Sequence, residues 1–99
     1  MLVVMKRPGK PARIGQIANT LEEMQRIVGG YIQMIPLDDD YMMICNEEGK
    51  LMNMQPNIWW LNDKIVGPII IARQNGEDLE DLKRLEANNI KMIIDGLEA

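Results

Sequence analysis

The 99-residue chain contains no histidine, no serine and no phenylalanine, and it has a single cysteine, Cys45, and a single threonine, Thr20. Each absence removes a class of chemistry. Without His or Ser, neither a Ser-His-Asp triad nor a Cys-His pair can be assembled within one chain. Zinc sites draw on Cys and His, so one cysteine offers no ligand set, and no metal or cofactor is expected. A lone cysteine forms no intramolecular disulfide, and inside the apolar run "YMMIC" it reads as a small buried hydrophobe. No apolar stretch approaches the roughly 18 residues of a membrane span, so no membrane partner is expected. The N-terminal "MLVVMKRPGK" places its apolar residues before its basic ones, the reverse of a secretory signal. A cytoplasmic location follows as the expectation, and only carboxylate, Lys or Tyr chemistry remains.

What is present is an ordinary globular balance, 46% hydrophobic and 26% charged, of a length that fits one domain over residues 1–99. The charge is unevenly placed. Residues 1–18 carry Lys6, Arg7, Lys10 and Arg13 with no acid, while residues 19–99 hold fifteen acids against seven bases, a balance of minus eight. Solvated charge is the ordinary reading of such a split. The alternatives are an acidic face that meets a basic partner and a basic turn that meets phosphate.

Hydrophobic patterning predicts a strand at "LVVMKR", a turn at "PGKP" and a weaker strand at "ARIGQIA" with Gly15 as a bulge. Thr20 and Glu23 match a capping box, and Leu21, Met24, Ile27 and Val28 form one face of the helix that follows. Gly29 and Gly30 supply its stop. "YIQMIPL" and "YMMIC" read as a hairpin with Pro36 at an edge. Gly49 is expected at positive φ in the next turn, "LMNM" is expected to extend the sheet, and Ile69–Ala72 reads as a central strand. A second helix is expected from about residue 77 to 87, with residues 90–95 continuing it. The resulting order is β-β-α-β-β-β-α, an α+β fold of two helices on a mainly antiparallel sheet of four to five strands.

The candidate site residues are Asp38, Asp39, Asp40, Glu47, Glu48, Trp59 and Trp60. The three aspartates lack the spaced pattern of a calcium loop, and adjacent glutamates beside a glycine give no reason for their pKa values to separate. The two acidic groups are expected at opposite ends of one strand, about 17–20 Å apart, too far to share a metal. Solvated turns and a partner-facing acidic patch both remain open. If "PNIWWLND" is extended, Trp59 and Trp60 point to opposite faces, so that one anchors the core and the other is available to a partner.

The order of "LEEMQRIVGGYI", "CNEEGKL" and "IVGPIIIAR", spanning roughly residues 5–73, resembles a family of short uncharacterised proteins encoded by phages, plasmids and conjugative elements of Gram-positive bacteria. The resemblance implies a mobile-element context and no catalytic residue. Accessory proteins of that kind often counter host immunity by binding. The leading expectation is therefore a non-enzymatic inhibitor of a bacterial defence protein with a basic surface, of the anti-CRISPR type. One alternative is a sponge that holds a nucleotide signal with the basic "KRPGKPAR" turn and an aromatic platform, across an oligomer interface. Another is a carboxylate-based enzyme. Direct nucleic-acid binding is not expected, and a homo-oligomer is left open.

Overall fold

The computed structural model describes residues 1–99. Its elements are β1 (Leu2–Lys6), β2 (Arg13–Gln16), α1 (Leu21–Val28), β3 (Ile32–Pro36), β4 (Tyr41–Asn46), β5 (Pro56–Trp60), β6 (Asp63–Val66), β7 (Ile69–Asn75), β8 (Asp78–Glu80) and α2 (Arg84–Asp95). Six strands form one antiparallel sheet in the order β2-β1-β7-β4-β3, with β8 also paired to β7. β4 occupies the other side of β7 at Arg73, so β8 continues the line of β1. β5 and β6 form a separate two-stranded sheet. The expected α+β class holds, but the strands number eight rather than four or five.

The alternation of apolar residues along the sheet explains its three layers. Val3, Ile44, Ile70 and Ala72 point to one face, where they pack with Met24 and Val28 of α1. Val4, Met43, Cys45, Ile69 and Ile71 point to the other, where Ile58 and Ile65 of the β5–β6 hairpin and Ala87 and Ile94 of α2 cover them. β7 has partners on both edges and is buried from Ile69 to Ala72, as its unbroken apolar run predicts. Pro36 lies on β3, an edge strand, where its missing N–H costs no ladder bond.

Helix α1 begins as its sequence indicates. The Thr20 hydroxyl accepts from the Glu23 backbone N–H at 3.1 Å, and Gly29 closes the helix at φ 83°. Leu21, expected on the buried face, is instead exposed.

Four expectations are corrected. The β1–β2 register is unbroken through Val3↔Gly15, so Gly15 is not a bulge. "LMNM" is not strand. Met52 N–H donates to the Glu48 carbonyl at 2.9 Å, coiling residues 48–52 into a turn, and Asn53 takes the left-handed conformation. Gly49 is not among the positive-φ residues; what it provides is space, since a Cβ there would lie 2.9 Å from Val66 Cγ2. Residues 78–80 form β8 rather than opening a helix, because Gly76 turns the chain back between Asn75 and Asp78 and Arg73 pairs with Glu80 across the strands at 3.3 Å. Helix α2 starts at Arg84 and runs through both asparagines to Asp95, so residues 90–95 are helical as expected.

Candidate functional site

The acidic groups do lie at the two ends of β4, and the structure treats them differently. Asp38 is consumed by its own turn: its carboxylate accepts from Asp40 N–H at 2.7 Å and Tyr41 N–H at 3.0 Å. The Asp40 carbonyl accepts from Gln74 N–H at 2.7 Å, tying the turn to β7. Asp39 is exposed and makes no ion pair. Nowhere do three or more Cys, Asp or Glu side chains converge as a metal-ligand set.

At the other end, the Asn46 carboxamide shapes the turn from within. Its Oδ1 accepts from Glu48 N–H at 2.7 Å and its Nδ2 donates to the Val28 carbonyl at 3.1 Å. Glu47 and Glu48 are thereby presented outward, and neither forms an ion pair. Both border a cleft of about 240 Å³ whose far wall is β6, with Asp63 and Lys64. Lys50 reaches across to Asp63 at 2.6 Å, joining the turn to the β5–β6 hairpin. That bond holds the Asp63 carboxyl below the ordinary carboxylate range.

The hairpin resolves the tryptophan pair. Trp60 turns inward against the core cluster of Ile58 and Ile65, and its indole N–H has no hydrogen-bond partner. Trp59 is 46% exposed, with the Lys64 ammonium 5.1 Å from its ring centroid across the strand pair. The hairpin turns on Leu61 and Asn62, both at positive φ (48° and 65°), the two-residue geometry matched to strand twist. A leucine in that conformation is unusual, since its Cβ crowds the following carbonyl. Its side chain is nevertheless 80% exposed, and Leu51 on the neighbouring turn is 83% exposed. Thus Leu51 offers apolar surface in the cleft with the two unpaired glutamates, and Trp59 and Leu61 offer it on the hairpin that forms the far wall of that cleft. The Asp38–Asp40 turn, at the opposite end of β4, is not part of this arrangement.

Two features went unread in the sequence. The first is a buried polar hub beneath the hairpin. Lys6, fully buried, places its ammonium 2.7 Å from Asn57 Oδ1 and 2.6 Å from Glu98. Asn57 Nδ2 donates to the Lys6 and Gly67 carbonyls, each at 2.8 Å. Lys6 shares the strand parity of Leu2 and Val4, and that parity was the available signal. The second is a clamp on α2. Glu86 accepts from the Tyr41 hydroxyl and sits 2.5 Å from Arg73 Nη1, while its other oxygen accepts from Lys83 N–H at 2.9 Å. The Tyr41 bond first, then the Lys83 N–H, and also the Arg73 charge hold the Glu86 carboxyl below its usual range. The same bond raises the Tyr41 hydroxyl.

The basic turn and the aromatic pair do not come together. Arg13 pairs with Met5 and shares the α1 side of the sheet, whereas the hairpin packs on the other. A platform combining them is not formed within one chain. Cys45 is buried, and burial pushes its thiol pKa up, the direction of an unreactive thiol.

With this geometry in place, comparison with known families adds one result. The family described as "Domain of unknown function (DUF3846)" matches residues 1–95. The chain belongs to the DUF3846 family. The match spans the tryptophan pair and all of α2, so the DUF3846 domain includes the hairpin and the clamp as well as the 5–73 segment whose motifs carry the resemblance. Comparisons with curated proteins and with solved structures found no match. No helix is long and apolar enough to cross a membrane.

Proposed function

We propose that this DUF3846 protein is a non-catalytic binding protein that docks a basic protein surface through the Trp59 hairpin and the Glu47–Glu48 turn. The observation that carries this reading is the presentation of Trp59 and Leu61 on a hairpin whose base is locked into the core by Ile58 and Ile65. A half-exposed aromatic on a rigid support, with an apolar neighbour and a charged rim, has the anatomy of an interface hot spot. The two free glutamates supply complementarity to a basic partner.

Carboxylate chemistry is the weaker reading. The carboxyls whose titration is clearly displaced, Asp63, Glu86 and Asp95, are all displaced downward. A general acid at neutral pH needs the opposite direction. Glu86 serves instead as a fixed anchor for the first turn of α2.

In its narrower form the proposal places the protein in the cytoplasm of a bacterial host, encoded by a mobile element, as an inhibitor of a defence protein such as a CRISPR nuclease. The support is the resemblance of "LEEMQRIVGGYI" and "CNEEGKL" to proteins of such elements. Expression in a host with a CRISPR system matched to an infecting phage tests it. Plating efficiency is expected to recover with the wild type and to stay low with Trp59→Ala. No recovery in hosts carrying the major nuclease types would dismiss the anti-CRISPR form of the proposal.

A further inference from the structure

We propose that the groove between α1 and the β1–β2 hairpin binds a small molecule bearing a phosphomonoester, of about mononucleotide size. The groove holds about 360 Å³, within the ~300–1,000 Å³ of small-molecule sites. Arg7, Arg13 and Arg26 line it, and Glu23 is its one acid. Three guanidiniums against one carboxylate leave a local excess of two positive charges on a chain whose net charge is −4. Lys6 also borders the groove but does not add to this excess, because its ammonium is turned away to Glu98 and Asn57.

The arginines are not equivalent. Arg26 is held by Glu23, Nε at 2.7 Å and Nη2 at 2.5 Å, which fixes one wall of the groove. Arg7 and Arg13 are exposed and carry no ion pair, so their planar donor forks are free for an anion. Between them lies an apolar floor of Met5, Ile17 and Ile27. Gly15 leaves room for the Met5 methyl, which a Cβ there would approach to 2.5 Å. A cationic rim over an apolar floor matches a ligand with phosphate at one end and a flat, weakly polar body at the other. A nucleic-acid polymer suits it less, because polymer affinity grows with the number of phosphates neutralised and the groove itself offers only two unpaired guanidiniums.

The groove lies on the sheet face opposite the Trp59 hairpin, so this site and the protein-docking surface stand or fall separately. Isothermal titration with AMP, adenosine, inorganic phosphate and a single-stranded oligonucleotide tests it. AMP is expected to bind at least tenfold more tightly than adenosine, and more tightly than inorganic phosphate. Arg7→Gln/Arg13→Gln, with an unchanged thermal midpoint because both side chains are exposed, is expected to weaken AMP at least tenfold. Trp59→Ala is expected to leave AMP binding unaltered. Absence of AMP binding at millimolar concentration would overturn the proposal. So would adenosine or inorganic phosphate binding as tightly as AMP, AMP binding indifferent to the double substitution, or an oligonucleotide binding more tightly than AMP.

Discussion

The two faces of the central sheet are covered in different ways. On the α1 side, Met24 and Val28 close over Val3, Ile44 and Ile70, and the buried polar tie is a single bond at the helix end, from Asn46 Nδ2 to the Val28 carbonyl. On the other side α2 and the β5–β6 hairpin also cover an apolar cluster, but each is fastened by polar groups: the hairpin by Lys6, Asn57 and Glu98, and the start of α2 by Tyr41, Glu86 and Arg73. A fully satisfied polar network fixes orientation where apolar contact alone leaves slack. The hairpin carries Trp59, and a recognition aromatic gains from a fixed orientation. The difference therefore assigns the denser polar fastening to the hairpin face and mainly apolar packing to the other.

The contrast predicts effects of graded size. Asn57→Leu strands the Lys6 and Gly67 carbonyls in the interior and leaves the buried Lys6 ammonium with Glu98 alone, and about 3–5 kcal/mol of stability should be lost. Chemical denaturation measures this, and a loss below about 1 kcal/mol would show that the hub is not what fastens the hairpin. Met24→Ala tests the other face, where only packing is removed. About 2–3 kcal/mol should be lost, with a cost that does not vary between pH 3 and 8.

Glu86→Gln should cost about 1 kcal/mol at neutral pH, a value kept small by its partial solvent exposure. Because the folded protein holds the Glu86 carboxyl below its ordinary 4.5, its contribution is complete above that pH and is lost as pH falls through the lowered folded value. The wild type should therefore lose stability below about pH 4.5 more steeply than Glu86→Gln, as seen in denaturation midpoints across that range. The smallest effect has the opposite sign. Leu61→Asn relieves a left-handed leucine and should raise stability by about 0.5–1 kcal/mol while weakening partner capture. Gain of stability with undiminished capture would remove Leu61 from the docking surface.

Much of this was legible from residue pattern. The Thr20 cap, the Gly29 stop, the β3–β4 hairpin and the central β7 are local signals that tertiary structure had no reason to override. The β5–β6 hairpin was not legible, because its turn is built on Leu61-Asn62 and lacks the glycine that usually marks a two-residue loop. β8 was masked by acids at Glu77 and Asp78, which mimic a helix N-terminus, while Leu79 and Leu82 at helical spacing serve two different clusters. In the candidate site, the separation of Asp38–Asp40 from Glu47–Glu48 follows from the length of β4, and the opposed tryptophans follow from strand alternation. That Trp59 is the outward one, and that Arg26 joins Arg7 and Arg13 in one groove, depends on how layers stack, which no local pattern encodes.

The assignment of partner recognition to the hairpin face is the central claim. Its most direct test immobilises the wild type, Trp59→Ala and Arg7→Gln/Arg13→Gln and compares the proteins each retains from one lysate of a bacterial host carrying defence systems. The wild type and the arginine variant should retain the same partner in equal amount, and Trp59→Ala should lose it. Retention by Trp59→Ala would contradict the account, and loss in the arginine variant alone would place recognition on the α1 face instead.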